Sequence, residues 1–197
     1  MRNPYSTRVF LSAAAIGAAG GVLAIALNWV FIAINTTPLA TLLIVAVFGV
    51  WVLPGMLSQV LFKAPGIGLF TLLVAALVNA PFTPYGVAQI WSTVIFGVIL
   101  ELPFAVTLYR FGSRRMFWIA HPLSQLLVIP FYVVGFDLAA FAWWVLGVFA
   151  VLTLASAAFF TWLAQFLAGR LQAAGVARPR RTPSVPPPAP APPAVEG

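Results

Sequence analysis

Six long apolar runs follow one another along the chain, separated by short stretches in which Pro, Gly, Asn and the basic residues collect. About 20 predominantly apolar residues in a helix cross a hydrocarbon core of about 30 Å. The runs therefore predict an all-α, polytopic membrane protein with six transmembrane helices, at about Val9–Ile34, Leu39–Phe62, Gly66–Ala80, Val87–Tyr109, Met116–Gly135 and Phe141–Leu171. Strands of a membrane barrel would be about ten residues long and alternate in polarity. Nothing in this chain alternates over that length.

Within the runs, proline and glycine set further expectations. Pro54-Gly55 predicts a kink in the second helix, because proline removes a backbone donor. The third helix is roughly 22 Å long at 1.5 Å per residue, too short for the core. The charge-free segment Asn79–Gly86 is expected to make up the difference as a lid folded into the outer leaflet, where irregular backbone is tolerated against protein. Pro122 and Pro130 argue for a discontinuous fifth helix beside a cavity.

Charge then orients the helices. Of 197 residues, 62% are apolar and 7% charged, with a net charge of +7. Arg2 and Arg8, Lys63, Arg110 with Arg114 and Arg115, and Arg170 with Arg178–Arg181 fall on alternate connections. The other three connections carry no Lys or Arg, and Asp137 is their single charge. By the positive-inside rule both termini are cytoplasmic, in a multi-pass protein of the cell membrane. The bases anchor topology and form no nucleic-acid stripe. Residues 1–176 make up the membrane domain, and the Pro/Ala-rich stretch 177–197 reads as a disordered cytoplasmic tail.

The candidate chemistry is sparse. Glu101 is a carboxyl deep inside an apolar run, an expensive placement that favours a working group in a bundle interior or cavity, with a structural carboxyl hydrogen-bonded to a neighbouring helix or held protonated as the alternative. It ends an i+4 row, Gln89, Thr93, Gly97 and Glu101, read as a polar cavity wall. Asn28, Trp29, Asn35 and Thr36 are read as either site-lining or interface-belt residues, with the belt as the default, and His121 as an interfacial or packing residue. In the first helix Ala14, Ala18, Gly17 and Gly21 lie on small-residue rows that suit either docking to another membrane subunit or packing within the bundle. There is no cysteine, no phosphate-binding G-x-x-x-x-G-K-[ST] and no metal-protease or nucleophile motif. An enzyme is not expected, no cofactor or metal is called for, and any ATP-driven role needs partners.

From Trp51 to Arg110 the chain resembles the YkoE-like family of substrate-binding (S) subunits of energy-coupling-factor (ECF) transporters, associated with thiamine and its hydroxymethylpyrimidine precursor. The residues that carry the resemblance are Trp51 with Leu53-Pro54-Gly55, Lys63-Ala64-Pro65-Gly66, Ala75-Ala76-Leu77-Val78 with Pro81 and Gly86, and Glu101 followed by Phe104, Tyr109 and Arg110. The resemblance implies a cavity between the outer halves of helices 3 to 6, a transmembrane coupling (T) subunit and cytoplasmic ATPases. On that reading Glu101, Asn79 and Gln89 contact polar edges of the ligand or brace the cavity, and Trp91, Tyr85 or Tyr132 stack on its ring. The chain departs from the family where Asn79 replaces a glutamate, Leu152 a basic residue and Phe96 a polar one. Losing an acid favours a neutral pyrimidine over a cationic thiazolium. The competing readings are a membrane scaffold or assembly protein, and a self-sufficient ion-coupled carrier with Glu101 as its proton site.

Overall fold

The computed structural model describes residues 6–34, 40–109, 113–135 and 143–176. The expectations placed on Arg2, Asn35, Thr36, Arg110, Asp137 and the tail from residue 177 lie outside these residues. The described chain is all helix: α1 (Thr7–Ile34), α2 (Ala40–Val47), α3 (Gly49–Phe62), α4 (Ile67–Asn79), a short 3-10 turn (Ala80–Phe82), α5 (Gly86–Val106), α6 (Arg114–Gly135) and α7 (Trp143–Ala173). Among the described residues five stretches are long and apolar enough to cross a membrane: Thr7–Ile34, Leu42–Phe62, Gly86–Val106, Arg114–Val134 and Trp143–Ala173. The stretch Ile67–Phe82 is apolar but shorter. Large apolar side chains such as Val22, Trp91, Val134 and Trp143 stand exposed around the bundle. Such a surface suits lipid.

The basic ends of the helices meet. Arg8 at the start of α1 donates to the Gly175 carbonyl beyond α7, at 3.3 Å, and Arg114 at the start of α6 donates to Gln165 Oε1 of α7, at 2.6 Å. Lys63 ends α3 at the same end of the bundle, in a left-handed conformation (φ 51°).

Two expectations about helix breaks are corrected. The second apolar run breaks at Phe48, six residues before Pro54, and Pro54 sits inside α3. A Cβ on Gly49 would collide with the Phe160 ring, so the break seats the backbone directly on α7. Similarly, α6 runs without interruption through Pro122 and Pro130.

Helix α1 is fastened along α4. Ala13, Gly17, Gly21, Ala24 and Asn28 form its buried stripe, and Cβ atoms on Gly17 and Gly21 would fall 2.5 Å from the Thr71 carbonyl oxygen and 2.6 Å from that of Ala75. Glycine permits this backbone approach. The main core joins Phe48, Val52 and Met56 to Leu72, Leu100 and Phe149.

Candidate functional site

The half of the bundle away from the basic end holds a cavity of about 550 Å³. Helix α1 contributes Ala24, Asn28 and Phe31, α2 contributes Ile44, the break after it Phe48, and α3 Trp51 and Val52. From α4 come Leu72, Ala76 and Asn79; Tyr85, Gln89, Thr93 and Phe96 come from the turn and α5, and Tyr132 from α6. Helix α7 supplies none of the lining residues, so the expected cavity between helices 3 to 6 is displaced toward α1. Among the described residues no lining side chain carries a formal charge. A volume of this size suits a small organic ligand.

One wall is aromatic. The Phe31 and Trp51 rings lie 5.1 Å apart, and Phe48 meets Phe96 edge-on at 5.1 Å and Tyr132 at 5.2 Å. Apolar ring faces of this kind take a planar guest.

A second wall is an amide relay. Trp51 Nε1 donates to Asn28 Oδ1 at 3.0 Å, and Asn28 Nδ2 donates to Asn79 Oδ1 at 3.3 Å. Asn28 and Asn79 are 4% and 2% exposed. Asn28, with the interface belt as its default from sequence, is therefore a cavity residue. On α5, Gln89 Nε2 donates to Thr93 Oγ1 at 3.2 Å. Trp29 Nε1 donates to the Phe82 carbonyl at 3.0 Å and fastens the 3-10 turn to α1 beside Tyr85.

Glu101 lies outside this cavity. Its Oε1 accepts from the backbone N–H of Gly68 (2.8 Å) and Leu69 (3.3 Å), and its Oε2 from Gly66 N–H (3.3 Å) and the Tyr109 hydroxyl (2.8 Å). Those amides belong to the start of α4, whose first N–H groups have no intrahelical partner. Helix α4 has 13 residues and is thus about 20 Å long, about 10 Å short of the hydrocarbon core. Glu101 and the Gly68 amide are buried, so the open N-terminus of α4 faces the bundle interior, and a carboxyl from α5 closes it and complements the helix dipole. A Cβ on Gly68 would come within 2.8 Å of Oε1, which explains the glycine. Tyr109 reaches back because Leu108 and Tyr109 take left-handed conformations (φ 51° and 55°) just past α5. Tyr109→Phe deletes one of the four donors and is expected to cost about 1–2 kcal/mol, measurable as an earlier thermal transition with unchanged ligand binding.

The structure thus brings together Asn79, Gln89, Tyr85 and Tyr132 of the six ligand-contact candidates. Trp91 is 68% exposed and does not line the cavity, and Glu101 is the α4 cap. The i+4 row on α5 is divided at Gly97, against which Leu69 packs: Gln89 and Thr93 face the cavity, and Glu101 faces the helix end. Among the proposed docking residues, Gly17 and Gly21 are consumed by the α1–α4 contact, whereas Ala14 and Ala18 remain partly exposed. His121 is fully buried between Gln59 Oε1 (Nε2, 3.2 Å) and Thr161 Oγ1 (Nδ1, 3.3 Å), joining α3, α6 and α7 as a packing residue. Among the described residues no three His, Cys, Asp or Glu side chains group as metal ligands.

Residues 9–127, more than half of the chain, match the family model for the permease component of ABC-type cobalt transport systems. The chain belongs to this family. No curated protein matches its sequence. Its fold is shared with a crystal structure of an S component of an ECF transporter, at 19% identity and a TM-score of 0.77, over 88% of each chain. At that identity the likeness is one of fold.

Proposed function

We propose that this chain is the membrane-embedded substrate-binding subunit of an ECF-type uptake transporter, with six spans and both termini cytoplasmic. It takes a small vitamin-like heterocycle, thiamine or its hydroxymethylpyrimidine precursor, from outside. The observation that carries the reading is the uncharged cavity of about 550 Å³, walled by aromatic rings and amides, on a fold of the S-component type. Planar rings stack against Phe48, Trp51 and Tyr132, while Asn79 and Gln89 contact polar edges. The Asn79–Gly86 turn, tied to α1 through Trp29, is the proposed cover of the mouth.

The family description mentions cobalt, yet among the described residues the cavity offers a cation only amide and hydroxyl oxygens and backbone groups. Co²⁺ sites in proteins draw on imidazole and carboxylate. This favours an organic cargo. With no nucleotide-binding motif in the chain, inward release depends on a coupling (T) subunit and cytoplasmic ATPases, and the exposed flank of α1 around Ala14 and Ala18 is the proposed docking face.

Trp51 lines the cavity and makes it self-reporting. In detergent-purified protein, hydroxymethylpyrimidine or thiamine is expected to quench tryptophan fluorescence saturably, and Co²⁺ is not. Saturable Co²⁺ binding with no response to either organic compound would reject the reading.

A further inference from the structure

We infer that the Trp51–Asn28–Asn79 relay is a polarised selector that turns a hydrogen-bond donor toward the ligand, so that the cavity prefers neutral, acceptor-bearing heterocycles and discriminates against cations. The inference rests on the binding-subunit reading above and names the charge class of its cargo.

The polarity follows from one chemical fact. An indole N–H donates and never accepts, whereas an amide does both and can be turned end for end. Because Trp51 Nε1 lies 3.0 Å from the Asn28 amide, the atom facing it must be Oδ1. That turns Asn28 Nδ2 toward Asn79, and the Asn79 atom facing Nδ2 at 3.3 Å must again be Oδ1. The group left over is Asn79 Nδ2, a donor on the cavity wall with no hydrogen-bond partner among the described residues. Reversing either amide would bring two donors face to face inside a buried site.

A donor held in this way meets a ring nitrogen or carbonyl favourably and a cationic centre unfavourably. Among the described residues no carboxylate lines the cavity to offset a positive charge, since Glu101 is committed to α4 and faces away. Aromatic walls can themselves attract cations through ring faces. The two accounts predict opposite preferences for ligands of one shape that differ in charge.

Thiamine and its thiophene isostere 3-deazathiamine are such a pair, the first carrying a thiazolium and the second neutral. Isothermal titration calorimetry of the full-length protein is expected to give at least tenfold tighter binding of the neutral isostere. Asn79→Asp, which keeps the shape but replaces the donor with an acceptor, is expected to bring the two affinities within threefold or to reverse them. Trp51→Phe keeps the aromatic surface but releases Asn28 to turn, and it is expected to shrink the preference while the protein stays monodisperse. A purely structural role for Trp51 would leave that ratio unmoved.

Equal or tighter binding of thiamine by the wild type would overturn the inference alone, and needs no variant to fold. So would a preference that survives Asn79→Asp. Failure of folded wild-type protein to bind thiamine, the isostere or hydroxymethylpyrimidine would overturn the binding-subunit reading for this class, and the inference with it.

Discussion

Glu101→Ala is expected to cost about 3–5 kcal/mol of stability, the usual range for deleting one side of a buried, fully engaged polar site. Three backbone N–H groups and one hydroxyl lose their acceptor together, and each orphaned buried donor costs about 1–3 kcal/mol. The measurement is the thermal midpoint and the monodisperse yield in detergent. Any fraction that folds is expected to bind ligand with near wild-type affinity, because Glu101 does not line the cavity. Glu101→Gln keeps one acceptor oxygen but sets an NH₂ against backbone donors, and should lose about half as much. A variant with a wild-type midpoint and abolished binding would show that the carboxyl serves the ligand instead.

Gly17→Val and Gly21→Val are expected to be as damaging. At these positions the added Cβ meets backbone carbonyl oxygens of α4 at 2.5 and 2.6 Å, and the Val74 and Val78 side chains lie close by. Backbone cannot step aside as a side-chain tip can, so α1 must lift away from α4 and take Asn28 with it. Overpacking commonly costs about 1–3 kcal/mol at one site, and the paired substitution should roughly double that. Loss of folded protein, or of the Trp51 fluorescence response to ligand, is the expected result. By contrast Ala14→Val, on a partly exposed row, should leave folding and binding intact while weakening capture of a coupling subunit.

The apolar runs made the helices readable, because length and composition alone decide whether a segment can cross a bilayer. The places where expectation and structure part share one physical cause: they depend on which helix a residue meets, which periodicity does not encode. Glu101 looked like a cavity group because depth was visible and the open N-terminus of α4 was not. Asn28 looked interfacial because its partners Trp51 and Asn79 are 23 and 51 residues away in sequence. The break at Phe48 follows from Phe160, more than a hundred residues downstream. Asn79, Gln89, Tyr85 and Tyr132 were legible because polar and aromatic residues gather toward one end of α4, α5 and α6. The Lys63-Ala64-Pro65-Gly66 stretch was noticed as a pattern, but its use came into view with the geometry, as the connection that starts α4 late and leaves a gap for Glu101.

The direction of the amide relay has an energetic consequence for transport as a whole. A Grotthuss chain needs every member to take a proton on one side and give one up on the other, and an indole at its head cannot do the first. The wall formed by Trp51, Asn28 and Asn79 is therefore a dead end for protons. Glu101, on the far side of the bundle's polar groups, is tied to amides and to Tyr109 and not to the relay. A proton gradient thus finds no wire through this wall on which to act, and on the proposed binding-subunit reading the cavity empties through force applied to the helices by another subunit.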